Sequence, residues 1–300
     1  MTDDSSNSFD SPNSFNSPNP EDVTVATVQF APEFGNVAAN RERTVEAIQD
    51  VTGEGKDGDG DVDLVVLPEL VTSGYVFESH EEVRELAEPR DGPSVEAWID
   101  AAAKTGAWVV GGFPELAADG ARYNSAAVVS PDGLEGVYRK THLWNEEKRW
   151  FEPGDELPVF DAPFGRLGVQ ICNDVWFPGA TTTQARDGAD LIALPTNWPT
   201  VEGEARPGGW TRGAHLAVAR ASSHRVGFAC ADRTGTERGT TFEGQSLVVD
   251  ADAMVAAGPA PVDRDATLTG TVDAAVAREK AFTEYDDALG DRRPDVYDLD

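Results

Sequence analysis

Three residues with complementary chemistry lie near the ends of short apolar runs in this chain: Glu69, Lys140 and Cys172. A cysteine thiolate is a strong nucleophile, and a nearby cation both lowers the thiol pKa and stabilises a developing oxyanion. A carboxylate can accept the thiol proton and return it to a leaving amine. Together the three groups are suited to attack on an unreactive carbonyl or nitrile carbon.

Each of these residues also has a simpler interpretation. Unpaired cysteine is among the most buried residue types and is commonly inert, so Cys172 could be a small core residue. Glu69 and Lys140 could form a solvated surface ion pair, because most charged side chains are exposed. Pro68 and the apolar residues around it argue against full exposure of Glu69. The residues alone leave both interpretations open.

The apolar runs before the three residues predict buried β-strands at Val62–Leu67, Gly136–Tyr138 and Leu167–Ile171. Strand ends are common positions for reactive residues in α/β sheets. Strands are also predicted at Val23–Phe30, Ala107–Phe113, Tyr123–Ser130, Leu191–Pro195, Val226–Cys230, Thr240–Val249 and Thr267–Val272. Helices are predicted at Asn36–Val51, Glu81–Glu88, Ser94–Thr105, Gly179–Asp187, Gly209–His224 and Glu279–Ala288. This alternation predicts an α/β fold with a mixed sheet.

The composition of the chain indicates its environment and excludes some classes of partner. The chain carries 24 basic and 54 acidic residues, a net charge of −30, which disfavours nucleic acid and anionic membranes as partners. Such acidity suits a salt-rich cytoplasm, where screening weakens the repulsion. Two cysteines fit a reducing compartment. We expect no signal peptide or membrane span, a disordered polar tail at residues 1–21, and one domain at 22–300.

Longer sequence motifs around the three residues resemble those of the nitrilase, or carbon–nitrogen hydrolase, superfamily. These motifs are Leu67-Pro-Glu69-Leu, Tyr138-Arg-Lys140-Thr-His-Leu and Ile171-Cys172-Asn-Asp-Val-Trp-Phe-Pro178, in that order. Similar segments continue from about Val23 to near the C-terminus, so the resemblance covers everything after the tail. Three motifs in the order that the family has them favour a nucleophilic role for Cys172 over the inert-core interpretation.

The resemblance implies a four-layer α-β-β-α sandwich, commonly assembled as dimers or larger homo-oligomers. It also implies Glu69 as general base, Lys140 as oxyanion stabiliser and Cys172 as nucleophile. The family has a further glutamate six residues before a Pro-Gly pair, which corresponds to Glu147 here. The adjacent Glu146 and the nearby Glu152 leave that assignment open.

The residues after Cys172 indicate the substrate class. Asn173 and Asp174 stand where enzymes acting on nitriles usually have Trp-Glu, and this pair resembles the amidase and carbamoylase branches. Val175 and Trp176 stand where enzymes for N-carbamoyl D-amino acids have arginines, which argues against a carboxylate-bearing substrate. The Trp-Phe-Pro word resembles enzymes that hydrolyse the cationic N-carbamoylputrescine.

Four residues are predicted to bind substrate or the oxyanion. The backbone N–H of Asn173 is expected to complete the oxyanion hole. Thr196, Asn197 and Trp198 follow the predicted strand ending at Pro195 and are expected to line the pocket.

The sequence therefore predicts a hydrolase of a small linear amide or N-carbamoyl compound, with a Cys172 thioester and release of ammonia. No cofactor and no metal site are expected, because no ligand cluster has suitable spacing. Nitrile hydrolysis and an inactive binding module are the main alternatives. A Cys–His hydrolase, with His142, His215 or His224 as base, is a further alternative.

Overall fold

The computed structural model describes residues 22–52, 62–201 and 209–297. The tail predicted to be disordered, residues 1–21, lies outside them. The strands are β1 (Asp22–Gln29), β2 (Leu64–Val66), β3 (Trp108–Leu116), β4 (Arg122–Ser130), β5 (Gly133–Arg139), β6 (Val159–Ala162), β7 (Gly165–Val169), β8 (Leu191–Pro195), β9 (Gly227–Ala231), β10 (Thr236–Glu237), β11 (Thr240–Thr241), β12 (Leu247–Val249), β13 (Val255–Ala257), β14 (Ala266–Asp273), β15 (Ala281–Thr283) and β16 (Asp286–Asp287). The helices are α1 (Val37–Thr52), α2 (His80–Leu86), α3 (Pro93–Thr105), α4 (Glu147–Trp150), α5 (Pro178–Arg186), α6 (Arg212–His224) and α7 (Ala274–Arg278), and a 3-10 helix spans Cys172–Trp176.

Two six-stranded mixed sheets form the centre of the described part of the chain. The strand order is β14-β1-β2-β3-β4-β5 in the first sheet and β13-β12-β9-β8-β7-β6 in the second. The central strands β1, β2 and β3 are parallel, as are β7, β8 and β9, while the outer neighbours pair antiparallel. Parallel central strands bring their carboxyl ends to one edge of each sheet, where predicted site residues follow.

The sheets pack face to face, with β1, β2 and β3 against β8, β9 and β12. Helices α1 and α3 cover the outer face of the first sheet, and α5 and α6 cover the second. Every residue of Leu64–Val66 and Leu191–Pro195 is buried, as expected of strands covered on both faces. The fold is thus the predicted four-layer α-β-β-α sandwich.

Two predicted elements are wrong. The segment Glu279–Ala288, predicted as a helix, forms the β15–β16 hairpin. Its turn is stabilised by the Thr283 hydroxyl, which donates to Asp286 Oδ2 at 2.8 Å and accepts from the Tyr285 backbone N–H at 3.2 Å, and such local bonds compete with helix formation. The single strand predicted at Thr240–Val249 is broken into β11 and β12. The elements that were not predicted are strands β6, β10 and β13, helices α4 and α7, and the 3-10 helix.

None of the described helices is both long enough and apolar enough to cross a bilayer.

Candidate active site

The predicted lysine lies between two carboxylates in the interior. Lys140 directly follows β5, and its Nζ donates to Glu69 Oε1 at 2.6 Å and to Glu147 Oε1 at 2.8 Å. Lys140 and Glu69 are fully buried and Glu147 is 4% exposed. The surface ion-pair interpretation is therefore wrong, because a buried charge of this kind is stable only with partners.

Cys172 begins the 3-10 helix beyond β7 and is 4% exposed. Its φ is 47°, a left-handed conformation that costs about 1–3 kcal/mol in a non-glycine residue. The charges of Glu69, Lys140 and Glu147 all act on its thiol, so the structure brings the four predicted catalytic residues into one site. A strained backbone at a buried thiol among charges is typical of a functional position.

Three neighbours fix Glu69. The Asn124 side-chain amide donates to Glu69 Oε1 at 2.7 Å, and the Asn197 amide donates to the Glu69 backbone carbonyl at 2.8 Å. Gly112 on β3 lies so close to the Pro68–Leu70 turn that a Cβ there would be 2.6 Å from Glu69 Cα. Glu69 Oε2 is buried and has no hydrogen-bond partner among the described residues, which leaves it open to accept a proton.

The geometry distinguishes Glu147 from its neighbour. Glu147 accepts bonds from Lys140 Nζ, from the Tyr75 hydroxyl and, at 3.2 Å, from the Trp144 backbone N–H. Glu146 is exposed and pairs with Arg149 at 2.6 Å. The carboxylate that supports Lys140 is therefore that of Glu147.

Burial dominates the acid–base properties of the site. It raises the pKa of Glu69 to about 7, against the attraction of the Lys140 ammonium. It also raises the pKa of the Cys172 thiol well above its ordinary value, an effect that Glu69 reinforces and Lys140 opposes. Burial alone would lower the pKa of Lys140, but Glu147 and Glu69 outweigh it and raise that pKa. The lysine is thus a fixed cation, and the thiol is protonated at rest.

A cavity that is open to solvent, with about 410 Å³ of empty space including its mouth, lies at Cys172. Of the predicted pocket residues, Asn173 and Trp198 line it, whereas Thr196 and Asn197 are fully buried and are not among its described lining residues. Asn197 instead supports the Glu69 backbone. Further lining residues that the sequence did not indicate are Trp144, Trp176, Pro199, Val201, Arg212, Gly213 and Glu243.

Tyr75 and Asn124 are site residues that sequence reasoning missed. Tyr75 contacts Glu147, 72 positions away, and Asn124 contacts Glu69, 55 positions away. Neither residue lies in one of the sequence motifs quoted above. The only local signal for Tyr75 is its place in the turn that follows Glu69.

The histidines considered as alternative bases have other hydrogen-bond partners. His142 Nδ1 lies 2.7 Å from Asp174 Oδ1, and His215 Nδ1 lies 2.8 Å from the Thr211 carbonyl oxygen. His224 Nε2 lies 2.9 Å from the Thr182 hydroxyl. Within the described ranges, no three His, Cys, Asp or Glu side chains are grouped to hold a metal ion.

Comparisons with known proteins agree with this geometry. Residues 24–282 match the family model for carbon–nitrogen hydrolases. A relative from Pyrococcus abyssi named nitrilase is 36% identical over 92% of this chain and 99% of its own length. An N-carbamoylputrescine amidase from Solanum lycopersicum is 29% identical over 92% of this chain and 93% of its own. The crystal structure of Nit3 from Saccharomyces cerevisiae, a nitrilase-superfamily member, superposes with a TM-score of 0.74 at 28% identity, covering 85% of this chain and 92% of that one.

Proposed function

The chain belongs to the carbon–nitrogen hydrolase family, and from that premise we propose that it hydrolyses a small linear amide or N-carbamoyl compound with release of ammonia. The observation that carries the proposal is the buried Glu69–Lys140–Glu147 array beside Cys172, which itself lines a cavity. Each group has the chemistry that one step of this hydrolysis requires.

In the first step, the unpaired Oε2 of Glu69 accepts the Cys172 proton as sulfur attacks the carbonyl carbon. The carbonyl oxygen becomes an oxyanion, which the Lys140 ammonium and the backbone N–H of Asn173 stabilise. The C–N bond breaks, Glu69 returns the proton to nitrogen, and ammonia leaves. The acyl group remains on sulfur as a thioester.

In the second step, Glu69 accepts a proton from water as the water oxygen attacks the thioester carbon. The C–S bond breaks, the proton passes to sulfur, and the acid or carbamic acid leaves. Glu147 holds Lys140 in place through both steps, since its Oε1 remains bonded to Nζ at 2.8 Å. The cycle balances without an oxidant, a reductant or a metal.

The cavity supports a small substrate. Its described lining includes the indoles of Trp144, Trp176 and Trp198, which would contact an apolar or cationic chain. The pair Asn173-Asp174 after the nucleophile supports an amide or N-carbamoyl group over a nitrile, as the sequence resemblance implies. The amidase named among the relatives is consistent with this substrate class.

Nitrile hydrolysis is the second candidate, because a relative at 36% identity carries the name nitrilase. The same thiol would attack the nitrile carbon and form a thioimidate, which water then converts with release of ammonia. Matched pairs of amide and nitrile with one carbon chain separate the candidates. A kcat/KM at least tenfold higher for the nitriles would overturn the amide proposal.

Ammonia release from a panel of amides, N-carbamoyl compounds and nitriles, measured in molar KCl, tests the function. We expect turnover by the wild-type protein and by Cys230→Ala, because Cys230 is a buried residue of β9. Cys172→Ala should be inactive. Full turnover by Cys172→Ala would exclude the mechanism.

Intact-mass analysis after iodoacetamide treatment separates an enzyme whose substrate is missing from the panel from an inactive binding module. One adduct that Cys172→Ala abolishes and Cys230→Ala retains indicates an activated thiol. No adduct together with no turnover supports the binding module.

The net charge of −30 supports the further proposal of a salt-rich cytoplasm, and the family resemblance supports a homo-oligomer. Light scattering coupled to gel filtration in molar KCl measures the mass. A 32.1 kDa particle at micromolar concentration would contradict the oligomer.

A further inference from the structure

Asp174 is a fully buried residue whose carboxylate joins two chain segments of the site. Its Oδ1 accepts from the His142 backbone N–H at 2.9 Å and from the Thr141 hydroxyl at 2.9 Å. Its Oδ2 accepts from the Tyr138 hydroxyl at 2.7 Å and from the Ile171 backbone N–H at 2.8 Å. One carboxylate thus holds the end of β5 and the segment after β7 together.

The two segments are those that carry Lys140 and Cys172. Lys140 lies between Tyr138 and Thr141, so Asp174 contacts the chain on both sides of it. Cys172 lies in the turn that Asp174 closes twice, since the Asp174 N–H also donates to the Ile171 carbonyl at 3.0 Å. The φ of Cys172 is 47°, in the left-handed region. A non-glycine residue keeps such a strained conformation only where contacts with the surrounding structure hold the backbone in place.

We propose that Asp174 is a positioning residue that fixes the Cys172 sulfur relative to the Lys140 ammonium. The proposal rests on the function proposed above. Asp174 is fully buried and is absent from the described lining of the cavity, so it acts through Cys172 and Lys140 and does not bind substrate. Its loss should lower kcat and leave KM almost unchanged.

The informative substitution is Asp174→Asn, which keeps the size of the side chain. Asparagine has one acceptor oxygen, and its other terminal atom becomes a donor. Either the Ile171 N–H or the His142 N–H would then face another N–H, and one segment would lose its attachment. A displacement of about 1 Å at reacting groups can reduce turnover about 100-fold.

Asp190→Asn is the matched control. Asp190 directly precedes β8, at the other end of the parallel strands, and is 5% exposed. Its carboxylate accepts from the Arg166 backbone N–H at 2.9 Å and pairs with Arg278 at 3.2 Å, so the substitution also removes a buried acceptor. We expect a lower melting temperature with kcat within about threefold of wild type.

The experiment measures kcat, KM, melting temperature and the rate of Cys172 alkylation by iodoacetamide for both variants. We expect Asp174→Asn to lose about 100-fold in kcat and a similar factor in alkylation rate, with KM within threefold. Wild-type kcat and alkylation rate in Asp174→Asn would overturn the proposal. Equal losses in both variants would also overturn it, since they would indicate a purely structural role.

Two further arms keep the test decisive. If Asp174→Asn does not fold, Tyr138→Phe removes the hydroxyl that donates to Asp174 and accepts from the Thr141 backbone N–H, and a loss of about tenfold in kcat is expected; wild-type kinetics there would overturn the proposal. Alkylation needs no substrate, so a wild-type protein without turnover would refute the proposed function, while the alkylation rates would still decide the role of Asp174.

Discussion

Replacement of Gly112 by alanine should displace the general base without touching any catalytic side chain. The φ of Gly112 lies outside the left-handed region, so alanine fits its backbone conformation. The new Cβ, however, would lie 2.6 Å from Glu69 Cα, from the Leu70 N atom and from the Pro68 carbonyl oxygen, whereas ordinary contacts begin at 3.4 Å. All three are backbone atoms, so the Pro68–Leu70 turn must move.

The expected effect follows from how Glu69 is held. Its Oε1 bonds to Lys140 Nζ at 2.6 Å and to Asn124 at 2.7 Å, and neither bond tolerates a shift of several tenths of an ångström. Overpacking of this kind costs about 1–3 kcal/mol of stability. A misplacement approaching 1 Å at a reacting group costs about 100-fold in rate. Gly112→Ala should therefore fold with a reduced melting temperature and lose about 100-fold in kcat.

Gly111→Ala is the control, because consecutive residues of a strand face opposite sides of the sheet. A Cβ at Gly111 would lie 2.7 Å from the Trp98 indole in the outer helical layer and away from Glu69. We expect a comparable loss of melting temperature with kcat within about threefold of wild type, measured per folded protein by ammonia release. Wild-type kcat in Gly112→Ala, or an equal loss in Gly111→Ala, would refute the reasoning.

Four further predictions concern the charged groups of the protein and a hydrogen bond that supports one of them. Because burial raises the pKa of Glu69 to about 7, kcat/KM should fall about tenfold per pH unit below pH 7, and a midpoint below pH 5 would contradict the role of this residue as base. Folding raises the pKa of Glu69 above its ordinary value of 4.5, so the resulting stability is present below pH 4.5 and is lost as the pH rises to about 7; Glu69→Gln should therefore raise the melting temperature at pH 8 and not at pH 4. Tyr75→Phe removes a donor to Glu147 and should lower kcat about tenfold with little change in KM, and steady-state kinetics equal to wild type would contradict this. With a net charge of −30, the melting temperature should be lower in millimolar than in molar KCl, and equal values in thermal scans would contradict salt adaptation.

The sequence predicts the scaffold of the site because the relevant signals are local. Short apolar runs before Glu69 and Cys172 predict buried strands, and polar residues directly after them predict a site at the sheet edge. Tyr75 and Asn124 could not be predicted in this way, because their bonds span 72 and 55 residues. Contacts over such distances depend on the order of the strands in the sheet and on the paths of the connecting segments, which periodicity does not encode.

The roles of Asn197 and Glu147 illustrate the same limit. Asn197 follows β8, so a strand-end argument places it at the site, but only the packing of the two sheets shows that its amide bonds to the Glu69 backbone. Similarly, adjacent glutamates are equivalent in sequence. Helix α4 separates them, because it directs Glu147 toward Lys140 and leaves Glu146 in solvent with Arg149.

The electrostatics of the site explain why its geometry must be held so firmly. Burial raises the pKa of the Cys172 thiol, and the fixed cation Lys140 does not overcome this effect, so a stable thiolate is absent at rest. The thiolate must therefore form during attack, by transfer of the thiol proton to Glu69. Burial raises the pKa of Glu69 to about 7, which suits it to accept this proton. Such a concerted transfer requires hydrogen-bond distance between thiol and carboxylate in the substrate complex. Gly112 sets the position of the carboxylate and Asp174 that of the thiol, so changes at these two positions should reduce turnover even though neither residue reacts.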